Sequence, residues 1–126
     1  MTHILLNIQF LNKDELLHNV RTGEKMIYDW VQFNHHKLML PPTMVVFPPP
    51  SLNEYSLNND DNYQGYTGFG ILKESHISIH TYPEENKVFI DFYSCKNLNI
   101  PKNKEFIQNY FIKSNQDKIA FQVIKR

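Results

Sequence analysis

Ser75, His76, His80, Glu84 and the chain's single cysteine, Cys95, lie within one short stretch of sequence. They supply a hydroxyl nucleophile, two imidazole bases, a carboxylate and a thiol. These are the groups that attack carbonyls and move protons. Whether they meet depends on how the chain between them folds. Ile77 and Ile79 alternate with His76, Ser78 and His80, the period-2 pattern of a half-buried strand. Tyr82 to Asn86 supply a turn, with Pro83 and Asn86 as breakers. Val88, Ile90 and Phe92 then alternate with Phe89, Asp91 and Tyr93 in a second strand. Folding these strands antiparallel over a short loop returns Cys95 to within about a residue or two of Ser75. The thiol therefore sits beside one particular serine.

The run Glu74-Ser75-His76-Ile77-Ser78-Ile79-His80-Thr81-Tyr82-Pro83-Glu84, with Cys95 twenty residues after Ser75, resembles the prokaryotic S-adenosylmethionine decarboxylase proenzyme family. The match in wording and spacing runs from Gly65 to Cys95, and a weaker similarity in element order covers nearly the whole chain. The resemblance implies a pyruvoyl-dependent decarboxylase that makes its own cofactor by cutting its chain between Glu74 and Ser75. Residues 1–126 then form one such domain. It also implies a small-molecule substrate, S-adenosylmethionine, decarboxylated to supply aminopropyl groups for spermidine synthesis. Residue by residue, Ser75 is similar to the serine that becomes pyruvoyl, and Cys95 to the catalytic proton donor. Thr67 stands where the family has a serine that assists processing, and His80 where it has the processing histidine. Glu84 looks like the carboxylate that grips the substrate ribose.

The chemistry follows from these residue types. Attack of a serine hydroxyl on the preceding carbonyl gives an ester through an N→O acyl shift. Elimination, then hydrolysis with loss of ammonia, leaves a pyruvoyl group capping a new N-terminus. That ketone forms a Schiff base with a substrate amine and draws in the electrons released with carbon dioxide. Quenching the carbanion needs a proton donor, and the Cys95 thiol can serve.

Taken singly, each residue has an ordinary reading. Ser75 would be a strand serine, Cys95 a small buried hydrophobe, His76 and His80 polar residues on an exposed sheet face, and Glu84 solvated surface. Their joint spacing favours the family reading. Ser75 and His80 are five residues apart on one strand, so they point to opposite faces and lie about 16 Å apart. They do not touch within one protomer. A homodimer with shared active sites follows, the His80 of one chain serving the Ser75 of the other. The family is similar in placing its sites at a subunit interface.

Two departures bear on substrate. The family usually carries an adenine-stacking aromatic six positions before the residue that stands here as Thr67, and that position is Asp61, within an Asp60-Asp61 pair. Either Tyr63 supplies the ring, or the acidic pair receives the cationic tail of ornithine or arginine. The glycine usual after the cysteine is Lys96. A third reading, from a different class, is an unprocessed paralogue that binds an adenosyl ligand or regulates a partner.

Bulk properties frame these readings. At 126 residues the chain is one domain with a real core. Thirteen basic and thirteen acidic residues cancel, so nothing suggests a nucleic-acid partner or a membrane surface. One cysteine cannot form an internal disulfide, which fits a reducing cytosol. No apolar run approaches the roughly 20 residues of a membrane span, and the N-terminus lacks the pattern of a signal peptide. A cytoplasmic protein is expected.

The positioning elements read in order as β-α-β-β-β-β-α-β. His3 to Phe10 alternates as a strand, and Asn12 with Glu15 forms a capping-box variant opening a helix that runs to Phe33. Gly23 weakens the middle of that helix by roughly 1 kcal/mol relative to Ala. His35 and His36 at its end read as capping or solvent residues, since adjacent histidines chelate poorly and no metal site is expected. Thr43 to Phe47 is a short strand, and the polar stretch from Pro48 to Gln64 is a long loop, functional or disordered. Tyr66 to Lys73 forms the next strand, Pro101 starts a second helix, and Lys118 to Ile124 is the last strand. Both helices fall on one face of an antiparallel sheet, an α+β two-layer sandwich.

Overall fold

Period-2 alternation builds the sheet. The computed structural model describes residues 1–47 and 65–125. Its strands are β1 (Thr2–Gln9), β2 (Thr43–Phe47), β3 (Gly65–Leu72), β4 (Ser75–Tyr82), β5 (Lys87–Ser94) and β6 (Lys118–Lys125). They form one antiparallel sheet in the order β2-β3-β4-β5-β1-β6. Ile4, Leu6 and Ile8 of β1, Ile77 and Ile79 of β4, and Val88, Ile90 and Phe92 of β5 all point to one face and are buried. Each such side chain contributes about 1.5–3 kcal/mol by leaving water. Helices α1 (Val20–Phe33) and α2 (Ile100–Phe111) cover that face. The expected two-layer α+β sandwich is the observed fold.

The helices are joined to the sheet by aromatic and polar contacts. Met26, Ile27, Trp30 and Val31 form the buried stripe of α1, and Trp30 meets Phe92 edge-on with ring centroids 5.0 Å apart. Trp30 Nε1 donates to Asn103 Oδ1 on α2 at 2.8 Å, and Asn103 exchanges further bonds with Asn34. Asn103 is wholly buried, so this small network satisfies every polar group that it takes out of water.

The start of α1 differs from the capping-box reading. Asp14, two residues beyond Asn12, accepts the Leu16 N–H and caps only a single 3-10 turn, Glu15–Leu17. The α-helix begins at Val20, where Asn19 Oδ1 accepts from the Arg21 and Thr22 N–H groups. Two Asx caps close together split what the sequence presents as one start. Gly23 therefore lies in the first turn rather than mid-helix. A β-carbon there would collide with the Tyr66 ring and hydroxyl, and Tyr66 is itself buried and bonded to the Leu16 carbonyl. Close approach explains this glycine.

Candidate active site

Ser75 opens β4 directly after a two-residue turn, because Leu72 at the end of β3 pairs with Ser75 across Lys73–Glu74. Such turns need a positive φ, which Gly, Asn and Asp adopt readily. Here Glu74 takes it, with φ 66°. For a residue with a β-carbon this conformation is about 1–2 kcal/mol less favourable. The strained residue is the one before the expected cut.

The Ser75 side chain faces the helix layer and is 6% exposed. Its Oγ accepts a hydrogen bond from the Cys95 N–H at 2.9 Å. Cys95 is the first residue past β5 and is half-buried. His76 stands opposite Tyr93, and the same register places Ser75 opposite Ser94. Ser94 is fully buried. Its Oγ accepts the Lys96 N–H at 3.0 Å and lies 2.9 Å from His36 Nε2.

A second pair forms elsewhere. Thr67 and His80 face each other across β3 and β4, with Thr67 Oγ1 3.1 Å from His80 Nδ1. Both lie on the outer face of the sheet, where His80 is exposed. Glu84 is exposed in the 3-10 turn Pro83–Glu85 that closes the β4–β5 hairpin, and Asn86 ends that turn at φ 53°. The structure thus brings Ser75 to Cys95 and Thr67 to His80, and holds the two pairs on opposite faces with most of β4 between them. His76, also outward, stacks on Tyr93 at 5.3 Å. Asp61 and Tyr63 lie outside the described residues, as does the loop from Pro48 to Gln64. Among the described residues no three His, Cys, Asp or Glu side chains are placed to hold one metal ion, and no helix is long and apolar enough to cross a membrane.

One half of the His35-His36 reading needs correction. His35 does cap α1: it adopts φ 58°, its N–H reaches the Gln32 carbonyl and the His36 N–H reaches the Val31 carbonyl. That is the Schellman arrangement, in which the reversed residue is usually glycine. His36 is no solvent residue. The reversal turns its ring in against Phe92 and onto Ser94. Burial, and after it the Lys96 ammonium, hold its pKa below the ordinary histidine value.

Fold and site together define a two-layer α+β domain whose central hairpin seats a serine hydroxyl on the backbone N–H of the lone cysteine, immediately after a strained turn. The chain belongs to the S-adenosylmethionine decarboxylase family, whose model matches residues 2–126. An S-adenosylmethionine decarboxylase proenzyme of Symbiobacterium thermophilum is 62% identical over 32 residues, 25% of this chain and 24% of that one. A proenzyme of the same name from Methanococcus vannielii is 41% identical over 63 residues, 50% of each chain. The chain thus aligns with a quarter to a half of the length of these relatives. A crystal structure of the adenosylmethionine decarboxylase from Aquifex aeolicus superposes with a TM-score of 0.71, covering 99% of this chain and 88% of that one. At 23% identity it shows the shared fold.

Proposed function

We propose that the chain is a self-processing, pyruvoyl-dependent decarboxylase of S-adenosylmethionine, supplying aminopropyl groups for spermidine synthesis. The observation that carries this reading is the Ser75 hydroxyl held on the Cys95 N–H at 2.9 Å, directly after a backbone strained at Glu74. Processing converts the Glu74–Ser75 peptide to an ester. Ser75 Oγ bonds to the Glu74 carbonyl carbon, the C–N bond breaks, and the hydroxyl proton passes to the nitrogen. Elimination and hydrolysis with loss of ammonia then leave the new N-terminus.

The surroundings of Ser75 fit a pyruvoyl group, since the backbone N–H of half-buried Cys95 donates to the side chain at the first position of β4. When present, that group supplies a carbonyl that takes up the substrate amine and the electrons freed with carbon dioxide. Cys95 holds the proton that replaces the lost carboxylate. Glu84 accepts hydrogen bonds from the ribose hydroxyls, and Tyr63 stacks on adenine. The alternative substrates, ornithine and arginine, rest on Asp60 and Asp61.

The working unit on this reading is a homodimer with shared sites. His80 cannot reach Ser75 of its own chain, because they occupy opposite faces of β4. The outer face also leaves Val45 and Phe69 exposed beside the Thr67–His80 pair, and Ile71 exposed further along β3. A second copy laid over that face, with its two-fold axis crossing near Ser78, carries its His80 toward the Glu74–Ser75 peptide.

The test is carbon dioxide release from carboxyl-labelled S-adenosylmethionine, with ornithine and arginine in parallel. Wild type should release label from S-adenosylmethionine and Ser75→Ala should not. Tyr63→Ala should raise KM, while Asp61→Ala changes it little. Release from ornithine or arginine alone, abolished by Asp61→Ala, would overturn the substrate assignment and spare the role of Ser75.

A further inference from the structure

His36 belongs to none of the roles above, yet only two hydrogen bonds and the Ser94–Cys95 peptide link separate it from the serine. The Schellman turn at the end of α1 aims its ring at the sheet. Its Nε2 meets Ser94 Oγ at 2.9 Å. Ser94 is 0% exposed, so its hydroxyl has no water to fall back on and depends on its protein partners. Its oxygen already accepts the Lys96 N–H, which leaves its proton free to be donated to His36. The depressed pKa of His36 fits that assignment, because the neutral ring offers an acceptor nitrogen. A second latch joins the same two segments: Lys96 Nζ donates to the His35 carbonyl at 3.2 Å.

Between the two latched residues, Ser94 and Lys96, lies Cys95. Its N–H is the donor on Ser75 Oγ, and its thiol is the group assigned to proton delivery. The turn leaving β5 is therefore fixed from the α1 side by His36 and His35, and from the β4 side by Ser75. Release of the His36 contact frees the Ser94 side chain and lets the turn carrying Cys95 shift away from Ser75.

We propose that His36, acting through Ser94, is a positioning residue for the Ser75–Cys95 pair, holding the Cys95 turn so that its N–H stays on the serine. The inference rests on reading Ser75 as the processing serine, and one arm of its test is independent of that reading.

Three variants test it. His36→Leu keeps a bulky side chain against Phe92 and removes the hydrogen bond. His36→Gln places an amide where Nε2 stood. His36→Asn keeps an amide too short to reach Ser94. Two readouts are taken: the rate of chain cleavage by intact mass, and the alkylation rate of Cys95 by iodoacetamide in a Ser75→Ala background. His36→Leu and His36→Asn should slow cleavage about three- to tenfold, the loss of one part-buried hydrogen bond, and speed alkylation by a similar factor. His36→Gln should restore both to near wild type at an unchanged melting temperature. Equal rates for Gln and Asn in both readouts overturn the proposal, and that comparison stands even if His36→Leu fails to fold. If wild type itself does not cleave, the reading of Ser75 has failed. The alkylation arm then decides the role of His36 alone.

Discussion

Glu74 allows the strain at the expected cut to be weighed. It is exposed and adopts φ 66°, so replacing it with glycine removes the backbone penalty and forfeits no packing. Relief is about 1–2 kcal/mol, against which glycine adds back about 0.4–1 kcal/mol by enlarging the freedom of the unfolded chain. The net gain spans about 0–1.6 kcal/mol and centres on about 0.8 kcal/mol, which for a domain of this size raises the melting temperature by about 2–4 °C. Calorimetry of Ser75→Ala against Glu74→Gly/Ser75→Ala measures it on chains that cannot cut. If the strain is released on the way to the ester, Glu74→Gly should cleave about two- to fivefold more slowly with Ser75 in place. Glu74→Gln, which keeps the strained φ and loses only the charge, should cleave at the wild-type rate. An unchanged or lower melting temperature for the glycine variant, or cleavage no slower than that of Glu74→Gln, would refute the argument.

Other consequences follow from particular contacts. Gly23→Ala should destabilise the fold by about 1–3 kcal/mol in urea unfolding, because the added methyl meets Tyr66, although helix propensity alone favours alanine by about 1 kcal/mol. Asn103→Ala should lose about 1–3 kcal/mol in the same assay by leaving Trp30 Nε1 buried without its acceptor. Because burial and Lys96 depress the His36 pKa, its contribution to stability is full above the unfolded value near about 6.5 and fades as pH falls through the folded one. Acidification from pH 7.5 toward 5 should therefore lower the melting temperature of wild type more than that of His36→Gln. An equal drop in the two proteins would count against that assignment. Mixing Ser75→Ala with His80→Ala chains should restore cutting of the His80→Ala chain, and mixed samples that process no better than His80→Ala alone would sink the shared site.

The hairpin from Ser75 to Ser94 was legible because its information is local. Period-2 alternation fixes which residues face inward, and a short turn fixes the register that carries Cys95 to Ser75. The same alternation placed His80 on the opposite face. The start of α1 was less legible, since Asp14 and Asn19 both cap and only the tertiary fit of Leu16 and Leu17 decides where each turn ends. His36 left no mark in the sequence. Its aim depends on His35 adopting a left-handed conformation usually marked by glycine, so the turn carried no turn residue to announce it. Its partner Ser94 is fifty-eight residues away, and no periodicity reports such a contact.

The most direct test of the central claim is the intact mass of the freshly purified wild-type protein beside Ser75→Ala. Self-processing predicts two fragments for wild type, residues 1–74 and 75–126, the second refractory to N-terminal sequencing, and one uncut chain for Ser75→Ala. A wild-type protein that stays whole at 126 residues and still releases carbon dioxide from S-adenosylmethionine would contradict it.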